Sequence, residues 1–320
     1  MDNISCDLGV VFPGQGSQSI GMLAELAVEY PQVKQTFEQA SSIFGEDLWT
    51  ICQQGPQQRL NDTRITQPAM LAAGVAVWRV WTTQTRLQPI SMAGHSLGEY
   101  TALVCSGKMD FEDAVKLVSE RARQMQIAVS VGEGAMAAIL GLDNAAVEQA
   151  CKLASPQGIV EPVNYNAPGQ VVIAGSAIAV ESALEQAKQL GAKRAVLLPV
   201  SVPSHCSLMR PAADALASML DNIALKETAI PVVQNTDGLS HDNPDQIRNN
   251  LKQQLYKPVL WVDCINKMHS QGVTQFVECG PGKVLSGLIK RIAKGVNVTS
   301  VNSPDSLISA QPLLEKSNDR

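Results

Sequence analysis

Short apolar runs that end at glycine-rich turns alternate along the chain with longer segments of helical periodicity. Residues 9–12 and 90–93 are such runs, and each is followed by a turn that contains two glycines. Short runs bounded by turn residues predict strands, whereas longer segments with apolar positions three or four residues apart predict helices. Helices are predicted from about residue 20, over 67–82, over 99–106, and from Asp110 onward.

The middle of the chain has a different order of elements. Apolar runs alternate there with two helical segments, one of which opens at Asp143, a suitable N-cap. Strands are predicted at 135–140, 160–165, 170–174 and 194–200, and helices at 143–154 and 179–190. The resulting βαββαβ order is typical of a ferredoxin-like unit. We therefore predict a small ferredoxin-like subdomain inserted into a larger α/β domain.

The insert sets the predicted domain boundaries. Residues 1–129 and 201–302 are assigned to the large α/β domain, and residues 130–200 to the insert. After the insert we predict a helix over 207–222, strands at 231–233 and 276–278, and a helix that opens after 280–283. From Ser303 onward the chain is polar, so a loosely held polar tail is expected over 303–320.

Composition and charge exclude several classes of protein. Hydrophobic residues make up 45% of the chain, charged residues 17%, and the net charge is −5, which is typical of a globular domain and not of a nucleic-acid-binding surface. Asp2 and Asp7 precede the first apolar run, so no secretory signal is predicted. The longest nearly apolar stretch, residues 69–78, is about half a membrane span. We expect a cytoplasmic protein that binds neither nucleic acid nor membrane.

The cysteines predict neither a disulfide framework nor a zinc site. The chain has seven of them, which is an odd number, and no Cys-x-x-Cys pair occurs. Buried or unreactive thiols in a reducing compartment are the simpler interpretation. We expect a protein without metal or cofactor.

Residues 94–98, Gly-His-Ser-Leu-Gly, fit the G-x-S-x-G pattern of a nucleophile elbow. In an elbow the serine occupies a sharp turn from strand to helix, and glycines flank it because side chains there would clash with the backbone. The pattern alone is weak, since roughly one chain in ten of this length carries it by chance. A predicted strand before it and a predicted helix after it favour Ser96 as a nucleophile over an ordinary surface turn.

A serine hydroxyl needs a neighbouring base to become a useful nucleophile, and four histidines are candidates. His95 adjoins the serine, so its side chain should point away and support the elbow. His241 lies in a polar loop and His269 lies between Lys and Ser on a helix, so both are expected near solvent. His205 lies where the insert rejoins the large domain, which suits a site residue. At the ordinary histidine pKa of about 6.5, it would make acylation rise with pH through that region.

Arg121 interrupts an apolar stripe on the helix predicted after Asp110. At about 100° per residue, one face of this helix carries Ala114, Leu117, Val118, Met125 and Ala128. Arg121 falls in the middle of that face, while Arg123 points to the opposite side. A guanidinium directed at the core needs an anion. That anion is either a protein carboxylate in a structural ion pair or a carboxylate of the substrate.

Taken together, the motifs resemble one family. They are Phe-Pro-Gly-Gln-Gly-Ser-Gln at 12–18, Gly-His-Ser-Leu-Gly-Glu-Tyr at 94–100, Tyr-Asn-Ala-Pro-Gly-Gln at 165–170, Val-Pro-Ser-His at 202–205 and Glu-Cys-Gly-Pro-Gly at 278–282. In this order they closely resemble the malonyl-CoA:acyl carrier protein transacylases of bacterial fatty acid synthesis, to which the acyltransferase domains of polyketide synthases are related. The resemblance covers roughly residues 8–300.

The resemblance implies a hydrolase-like parallel-sheet domain with a ferredoxin-like insert, and a ping-pong reaction through an acyl-serine. It implies malonyl-CoA as substrate and acyl carrier protein as acceptor. The implied site residues are the nucleophile Ser96, its base His205, the oxyanion-hole N–H groups of Gln15 and Leu97, and Arg121 for the malonyl carboxylate. Asn166 and Met125 match the acyl pocket. The base is implied to be held by a backbone carbonyl near Gln254 rather than by a carboxylate.

Two other functions remain open from the sequence. A serine esterase or thioesterase would share the elbow and the base but pass the acyl group to water, and it would normally have an acidic third member. A catalytically idle module that binds carrier protein is disfavoured by the intact Ser96, His205 and Arg121. The pathway served is also open, and a monomer is the expected state. The basic residues Lys283, Lys290 and Arg291 are candidates for contact with an acidic carrier protein.

Overall fold

A parallel sheet forms the centre of the large domain. The protein is represented by a computed structural model, which describes residues 7–85, 87–200 and 202–315. The strands are β1 (Leu8–Phe12), β2 (Ser91–Gly94), β3 (Gly134–Leu140), β4 (Val160–Ala167), β5 (Gln170–Ser176), β6 (Arg194–Leu197), β7 (Val232–Val233), β8 (Gln275–Cys279) and β9 (Asn297–Val301). The central sheet has the order β7-β2-β1-β8-β9, and all of these pairs are parallel.

Helices cover the central sheet and pack against one another beside it. They are α1 (Ala24–Glu29), α2 (Gln32–Phe44), α3 (Leu48–Gln54), α4 (Gln57–Leu60), α5 (Thr63–Gln84), α6 (Gly98–Cys105), α7 (Phe111–Ala128), α8 (Asn144–Ala154), α9 (Ala177–Gln189), α10 (Arg210–Asn222), α11 (Pro244–Gln254), α12 (Trp261–Ser270), α13 (Val284–Ile292) and α14 (Pro304–Glu315). β1 is buried along its whole length, as expected for a parallel strand that is covered on both faces. Within the described residues, no helix combines the length and the apolar character needed to cross a membrane.

The sheet brings two sequence motifs to the same edge. β1 and β2 are parallel neighbours, and Phe12 at the end of β1 is in register with Gly94 at the end of β2. The glycine-rich turn after β1 and the elbow after β2 therefore leave the sheet side by side. This is the edge at which ligands bind in open parallel sheets.

Strands β3 to β6, which lie between Gly134 and Leu197, form a separate small sheet. Its order is β4-β5-β3-β6, and every pair is antiparallel. α8 and α9 contribute to a buried apolar cluster on one side of it, and Asp143 caps α8 by accepting from the Ala146 N–H, as predicted. Met136, Val172 and Leu198 lie on the side that faces the large domain. The protein is thus a mixed α/β fold with a parallel sheet and a small antiparallel sheet.

Most of the predicted elements are confirmed with boundaries shifted by a few residues, but four predictions are wrong or incomplete. The first helix begins at Ala24 rather than near residue 20. The prediction missed α2, α3 and α4, which lie between the first helix and α5, and it also missed α11 and the edge strand β9. The loosely held polar tail is wrong over 304–315, because α14 forms there and buries Leu307 and Ala310 in the main core. The last five residues of the predicted tail, 316–320, lie outside the described part of the chain.

Candidate active site

Ser96 lies on a strained turn between β2 and α6. Its φ of 53° falls in the left-handed region, which non-glycine residues rarely adopt. The flanking glycines are required by space, since a Cβ on Gly94 would lie 1.8 Å from the Gly98 carbonyl oxygen, and one on Gly98 would lie 2.1 Å from the Phe12 oxygen. The Asn235 side-chain oxygen holds the turn by accepting from the Ser96 N–H at 2.7 Å. The backbone geometry is that of a nucleophile elbow.

His205 is the histidine that meets the serine. Its Nε2 lies 2.7 Å from Ser96 Oγ, and its Nδ1 lies 2.6 Å from the backbone oxygen of Gln254. The Gln254 carbonyl can only accept, so Nδ1 donates to it, and Nε2 is left as the atom that can accept the serine proton. His205 also has a left-handed backbone, with a φ of 68°, and its N–H donates to the Leu255 oxygen at 2.9 Å.

The surroundings of His205 keep its imidazole neutral. Burial is the main cause, and the positive charge of Arg121 adds to it, so the pKa of His205 is lowered to about 3. The bond to the Gln254 carbonyl opposes this shift but does not cancel it. The expectation that His205 titrates near its ordinary pKa of about 6.5 is therefore wrong for the free protein. His205 is in its basic form throughout the neutral range.

Arg121 is buried beside the serine without a carboxylate partner. Its side chain is 1% exposed, and among the described residues no acidic oxygen lies within ion-pair distance of its guanidinium. Nη1 donates to the side-chain oxygen of Gln67 at 2.7 Å, and Nη2 donates to that of Gln254 at 3.0 Å. Nη2 also lies 3.4 Å from Ser96 Oγ, whereas Nε has no partner among these residues. Burial lowers the pKa of this guanidinium, which is the signature of a cation short of anionic neighbours.

The turn after β1 lies against the elbow. Gly14 is so close to it that a Cβ there would be 2.5 Å from the His95 backbone oxygen and 3.8 Å from the Leu97 nitrogen. Gln15 follows in the same turn, and both Gln15 and Leu97 line the cavity above Ser96. Two backbone N–H groups on adjacent turns next to a serine are the arrangement that can stabilise an oxyanion.

A cavity of about 220 Å³ connects these groups. Its lining includes the site residues Gln15, Ser96, Leu97, Arg121, Met125, Asn166 and His205. Apolar side chains of the small sheet and of α13, among them Met136, Val172, Leu198 and Leu288, line the rest. Gln254 is absent from the lining, since it is fully buried behind Arg121. The sequence-predicted residues therefore converge on one cavity, with Gln254 supporting it from behind.

Asn166 and His241 have contacts that the sequence did not indicate. Asn166, on β4, places its side-chain oxygen 2.7 Å from Nε2 of His95. His95 also packs edge-on against the Trp261 ring at 5.4 Å, which agrees with a supporting role for this histidine. His241 is not simply solvated as expected, because it pairs with Asp237 at 2.7 Å and is only 16% exposed. His269 is exposed, as expected.

Sequence reasoning missed the polar side chains beneath the elbow. Glu99 is fully buried three residues after the nucleophile, and Asn235 is fully buried two residues after β7. Gln67, in the first turns of α5, binds Arg121 and also lies 3.6 Å from the sulfur of Met125. The Gly-Glu-Tyr end of the elbow motif is the signal that could have drawn attention to Glu99, since a carboxylate one turn into a core helix must be buried or bound.

Among the described residues, the cysteines form no disulfide and the possible metal ligands form no metal site. The cysteines at 52, 105, 151, 206, 264 and 279 are free thiols, and Cys6 lies outside the described residues. In the part of the chain that the structure covers, no three His, Cys, Asp or Glu side chains are grouped as metal ligands. The expectation of a metal-free protein without cofactor stays a prediction.

Comparison with known proteins adds a family to this geometry. Residues 10–308 match the family described as Acyl transferase domain. The malonyl CoA-acyl carrier protein transacylase of Escherichia coli K12 is 54% identical over 303 residues, covering 95% of this chain and 98% of that protein. The Bacillus subtilis 168 protein of the same name is 42% identical over 313 residues, covering 98% of each chain.

Solved structures agree in fold. The crystal structure of an acyl carrier protein S-malonyltransferase from Vibrio cholerae has a TM-score of 0.92 at 53% identity, covering 95% of this chain and 99% of that one. A malonyl-transacylase solved in complex with its type II polyketide synthase acyl-carrier protein has a TM-score of 0.94 at 52% identity, covering 97% and 99%.

Proposed function

This chain belongs to the family of malonyl CoA-acyl carrier protein transacylases, and on that premise we propose that it moves a malonyl group from coenzyme A to acyl carrier protein through an acyl-serine. The observation that carries the proposal is that Ser96, His205 and Arg121 lie close together in the cavity. Ser96 Oγ lies 2.7 Å from a neutral His205 and 3.4 Å from a buried guanidinium without a carboxylate partner among the described residues. A nucleophile and its base thus face a cation that needs an anion.

The first half-reaction loads the serine. Nε2 of His205 takes the proton from Ser96 Oγ as the oxygen attacks the thioester carbonyl, and the N–H groups of Gln15 and Leu97 stabilise the resulting oxyanion. The tetrahedral intermediate then collapses and the C–S bond breaks. The departing CoA sulfur takes the proton from His205, which returns to its neutral form.

The second half-reaction removes the malonyl group from Ser96. The phosphopantetheine thiol of acyl carrier protein gives its proton to His205 and attacks the malonyl-serine carbonyl. Collapse breaks the C–O bond, and Ser96 recovers its proton from His205. CoA leaves before the carrier protein takes the malonyl group from the acyl-serine, so the mechanism is ping-pong.

Arg121 is proposed to select the acyl group. A planar guanidinium can hold a carboxylate through two charge-assisted hydrogen bonds, and its Nε has no partner among the described residues. Met125 lies one turn along the same helix, and Asn166 lies across the cavity, so both are assigned to the acyl pocket. Leu97 beside the nucleophile favours malonyl over the branched methylmalonyl group.

The finer assignments of architecture and setting are proposals of the same kind. The order βαββαβ and the antiparallel sheet order β4-β5-β3-β6 support a ferredoxin-like insert over 130–200 in a hydrolase-like domain. We further propose a cytoplasmic monomer that binds no nucleic acid. Lys283 and Lys290 are exposed beside and on α13, the helix whose Leu285 and Leu288 line the cavity, so an acidic carrier protein could dock there. Arg291 is also exposed there, but it already donates to the Pro168 oxygen.

Intact mass spectrometry tests the proposed function directly. Malonyl-CoA is expected to add one malonyl group to the protein, on the peptide that contains Ser96. The malonyl group should then be transferred to holo acyl carrier protein. This transfer should be much faster than hydrolysis of the malonyl-serine to free malonate. Transfer to water at a similar rate would instead indicate a thioesterase, and the absence of any adduct would contradict the acyl-serine mechanism.

Replacing Arg121 should change which acyl group is accepted. Removing one partner of a buried ion pair costs about 3–5 kcal/mol, so Arg121→Ala should lower kcat/KM for malonyl-CoA by about 10² to 10⁴. Transfer from acetyl-CoA should hold or improve, because the acetyl group leaves the native guanidinium unpaired. The measurement is kcat/KM for malonyl-, methylmalonyl- and acetyl-CoA.

Arg123→Ala is the matched control for this substitution. Arg123 lies two residues further along α7 but is exposed and paired with Glu120 at 2.7 Å, so its loss should leave the malonyl-to-acetyl ratio unchanged. An unchanged ratio in Arg121→Ala would show that the substrate carboxylate is bound elsewhere.

A further inference from the structure

Glu99 is a buried carboxylate with no role in the proposed chemistry. It lies in the first turn of α6, three residues after the nucleophile, and is completely inaccessible to solvent. Among the described residues, no cation lies within ion-pair distance of it. Uncharged groups satisfy it instead: Oε1 accepts from the side-chain amide of Gln234 at 3.0 Å, and Oε2 accepts from the Asn235 backbone N–H at 2.9 Å. A carboxylate that is buried at such a cost needs a reason.

The third donor to Glu99 is the side-chain amide of Gln254. Its Nε2 donates to Glu99 Oε2 at 2.9 Å and to the Ser96 backbone oxygen at 2.9 Å. An amide has one donor end and one acceptor end, and its neighbours decide which way it faces. Because Glu99 and the Ser96 carbonyl only accept, they fix the nitrogen end. The oxygen end of Gln254 is thereby directed at Arg121, which it meets at 3.0 Å.

The reversed amide would place charges of like sign together. The Gln254 oxygen would face the Glu99 carboxylate, and its NH₂ group would face the Arg121 guanidinium. The same residue also holds His205 through its backbone oxygen at 2.6 Å. Gln254 thus contacts both the base and the guanidinium, and Glu99 together with the Ser96 carbonyl fixes the orientation of its amide.

We infer that Glu99 is a positioning residue for acyl-group selection: through the amide of Gln254 it holds the Arg121 guanidinium in the place where a substrate carboxylate binds. This inference rests on the proposed function. Glu99 does not line the cavity or touch the reacting atoms, and its hydrogen-bonded link to Arg121 runs through Gln254. Its loss should therefore affect malonyl transfer more than acetyl transfer, because only the malonyl group uses Arg121.

The test is the ratio of kcat/KM for malonyl-CoA to that for acetyl-CoA in Glu99→Gln and Glu99→Met. The amide of Glu99→Gln cannot accept from all three donors, and Glu99→Met accepts from none. The ratio should fall by about 10- to 100-fold, the range for losing a hydrogen bond to a charged group, with the larger fall in Glu99→Met. General loosening of the elbow would slow both acyl groups alike and leave the ratio unchanged.

Glu278→Gln is the matched control. Glu278 is also fully buried, and its carboxylate accepts from the Leu285 N–H, the Ser286 N–H and the Ser286 hydroxyl at 3.0, 2.7 and 2.6 Å. It caps α13 and has no link to Arg121. The ratio in Glu278→Gln should match that of the wild-type protein. The inference is overturned if Glu99→Gln keeps the wild-type ratio within about twofold, or if Glu278→Gln lowers it equally.

A measurement on the unsubstituted protein covers the case in which the Glu99 variants do not fold. Burial raises the pKa of the Glu99 carboxyl to about 6, against the bonds from Asn235, Gln234 and Gln254. The charged or titratable groups that face it are Arg121, Asp237 and Cys264 from neighbouring elements and Tyr100 from its own helix.

Protonated Glu99 cannot accept from every donor, so the malonyl-to-acetyl ratio should fall several-fold between about pH 8 and pH 5.5, where ordinary carboxyl groups stay ionised. The pH dependence of kcat/KM reports pKa values of the free enzyme, and the His205 of the free enzyme is common to both substrates, so its titration cancels from the ratio. A pH-independent ratio overturns the inference, whereas a wild-type protein that takes up no malonyl group would overturn the proposed function instead.

Discussion

Ser96→Ala should abolish the acyl-enzyme and lower malonyl transfer by up to about 10⁶, the scale seen when the nucleophile of a serine enzyme is removed. Ser96 Oγ is the one hydroxyl within hydrogen-bond distance of His205 Nε2 among the described residues, so no neighbour can take its place. Binding of malonyl-CoA should persist, because Arg121 keeps its bonds to Gln67 and Gln254. The measurements are intact mass after exposure to malonyl-CoA, steady-state transfer and equilibrium binding.

The strained elbow gives this prediction a second, independent readout. Ser96→Gly removes the same hydroxyl but tolerates the φ of 53° that Ser and Ala adopt only with strain. It should therefore be more stable than Ser96→Ala by about 0.5–1 kcal/mol, after the extra flexibility of glycine in the unfolded chain is subtracted. Denaturant unfolding of the two variants measures this difference.

A malonyl adduct that survives in Ser96→Ala and maps to Cys206 or Cys279 would contradict the serine mechanism. Both thiols are poor candidates. Burial raises the pKa of the Cys206 thiol to about 12 and that of Cys279 above its ordinary value, so neither supplies a thiolate at neutral pH.

The nucleophile and the inserted elements could be predicted because their signals are local. An elbow needs glycines at fixed positions around the serine, and the βαββαβ order follows from runs of apolar residues with their own turns and caps. The stripe that Arg121 interrupts is equally local, and the structure places Arg121 on that buried face, with 1% of its surface exposed.

The support of the site could not be predicted, since its contacts are distant in sequence. Asn235 binds the Ser96 N–H across 139 residues, and the Gln254 amide reaches the Ser96 oxygen across 158. Nothing in the local pattern of a buried Glu, Asn or Gln shows which partner satisfies it. The lowered pKa of His205 has the same origin, because burial and the charge of Arg121 come from elements far apart in the chain.

Two of the wrong predictions had usable signals. α2 carries Val33, Phe37 and Ala40 at helical spacing on its buried side. α14 begins at Pro304, and its buried Leu307 and Ala310 lie three residues apart. The rest of α2 is largely polar, so a low average hydrophobicity hid its apolar stripe. In α14 the sequence also has Ile308, Leu313 and Leu314, so the segment is more apolar than a polar tail.

His205→Ala should lower the rate of serine acylation by about 10² to 10⁴, the usual contribution of a general base. The loss should fall in this range for malonyl and acetyl groups alike, because both use one serine. His269→Ala is the matched control, since that side chain is exposed, its Nδ1 donates to the Val273 oxygen, and it does not line the cavity among the described residues. Full activity in His205→Ala would show that His205 is not the base. Residual activity that disappears when His269 is also replaced would show that His269 can act as the base.

The titration of the His205 imidazole should distinguish a buried histidine from a solvent-exposed one. Because its pKa in the free protein is lowered to about 3, it is protonated only in strong acid, and its ring signals in NMR should stay constant between about pH 5 and pH 8. A titration near pH 6.5 would contradict the buried, neutral imidazole. Malonyl binding should raise this pKa, because the substrate carboxylate offsets the charge of Arg121, which helps to lower it in the free protein. The same guanidinium that selects the malonyl group would then also make the base stronger once the correct acyl group is bound, which acetyl-CoA cannot do.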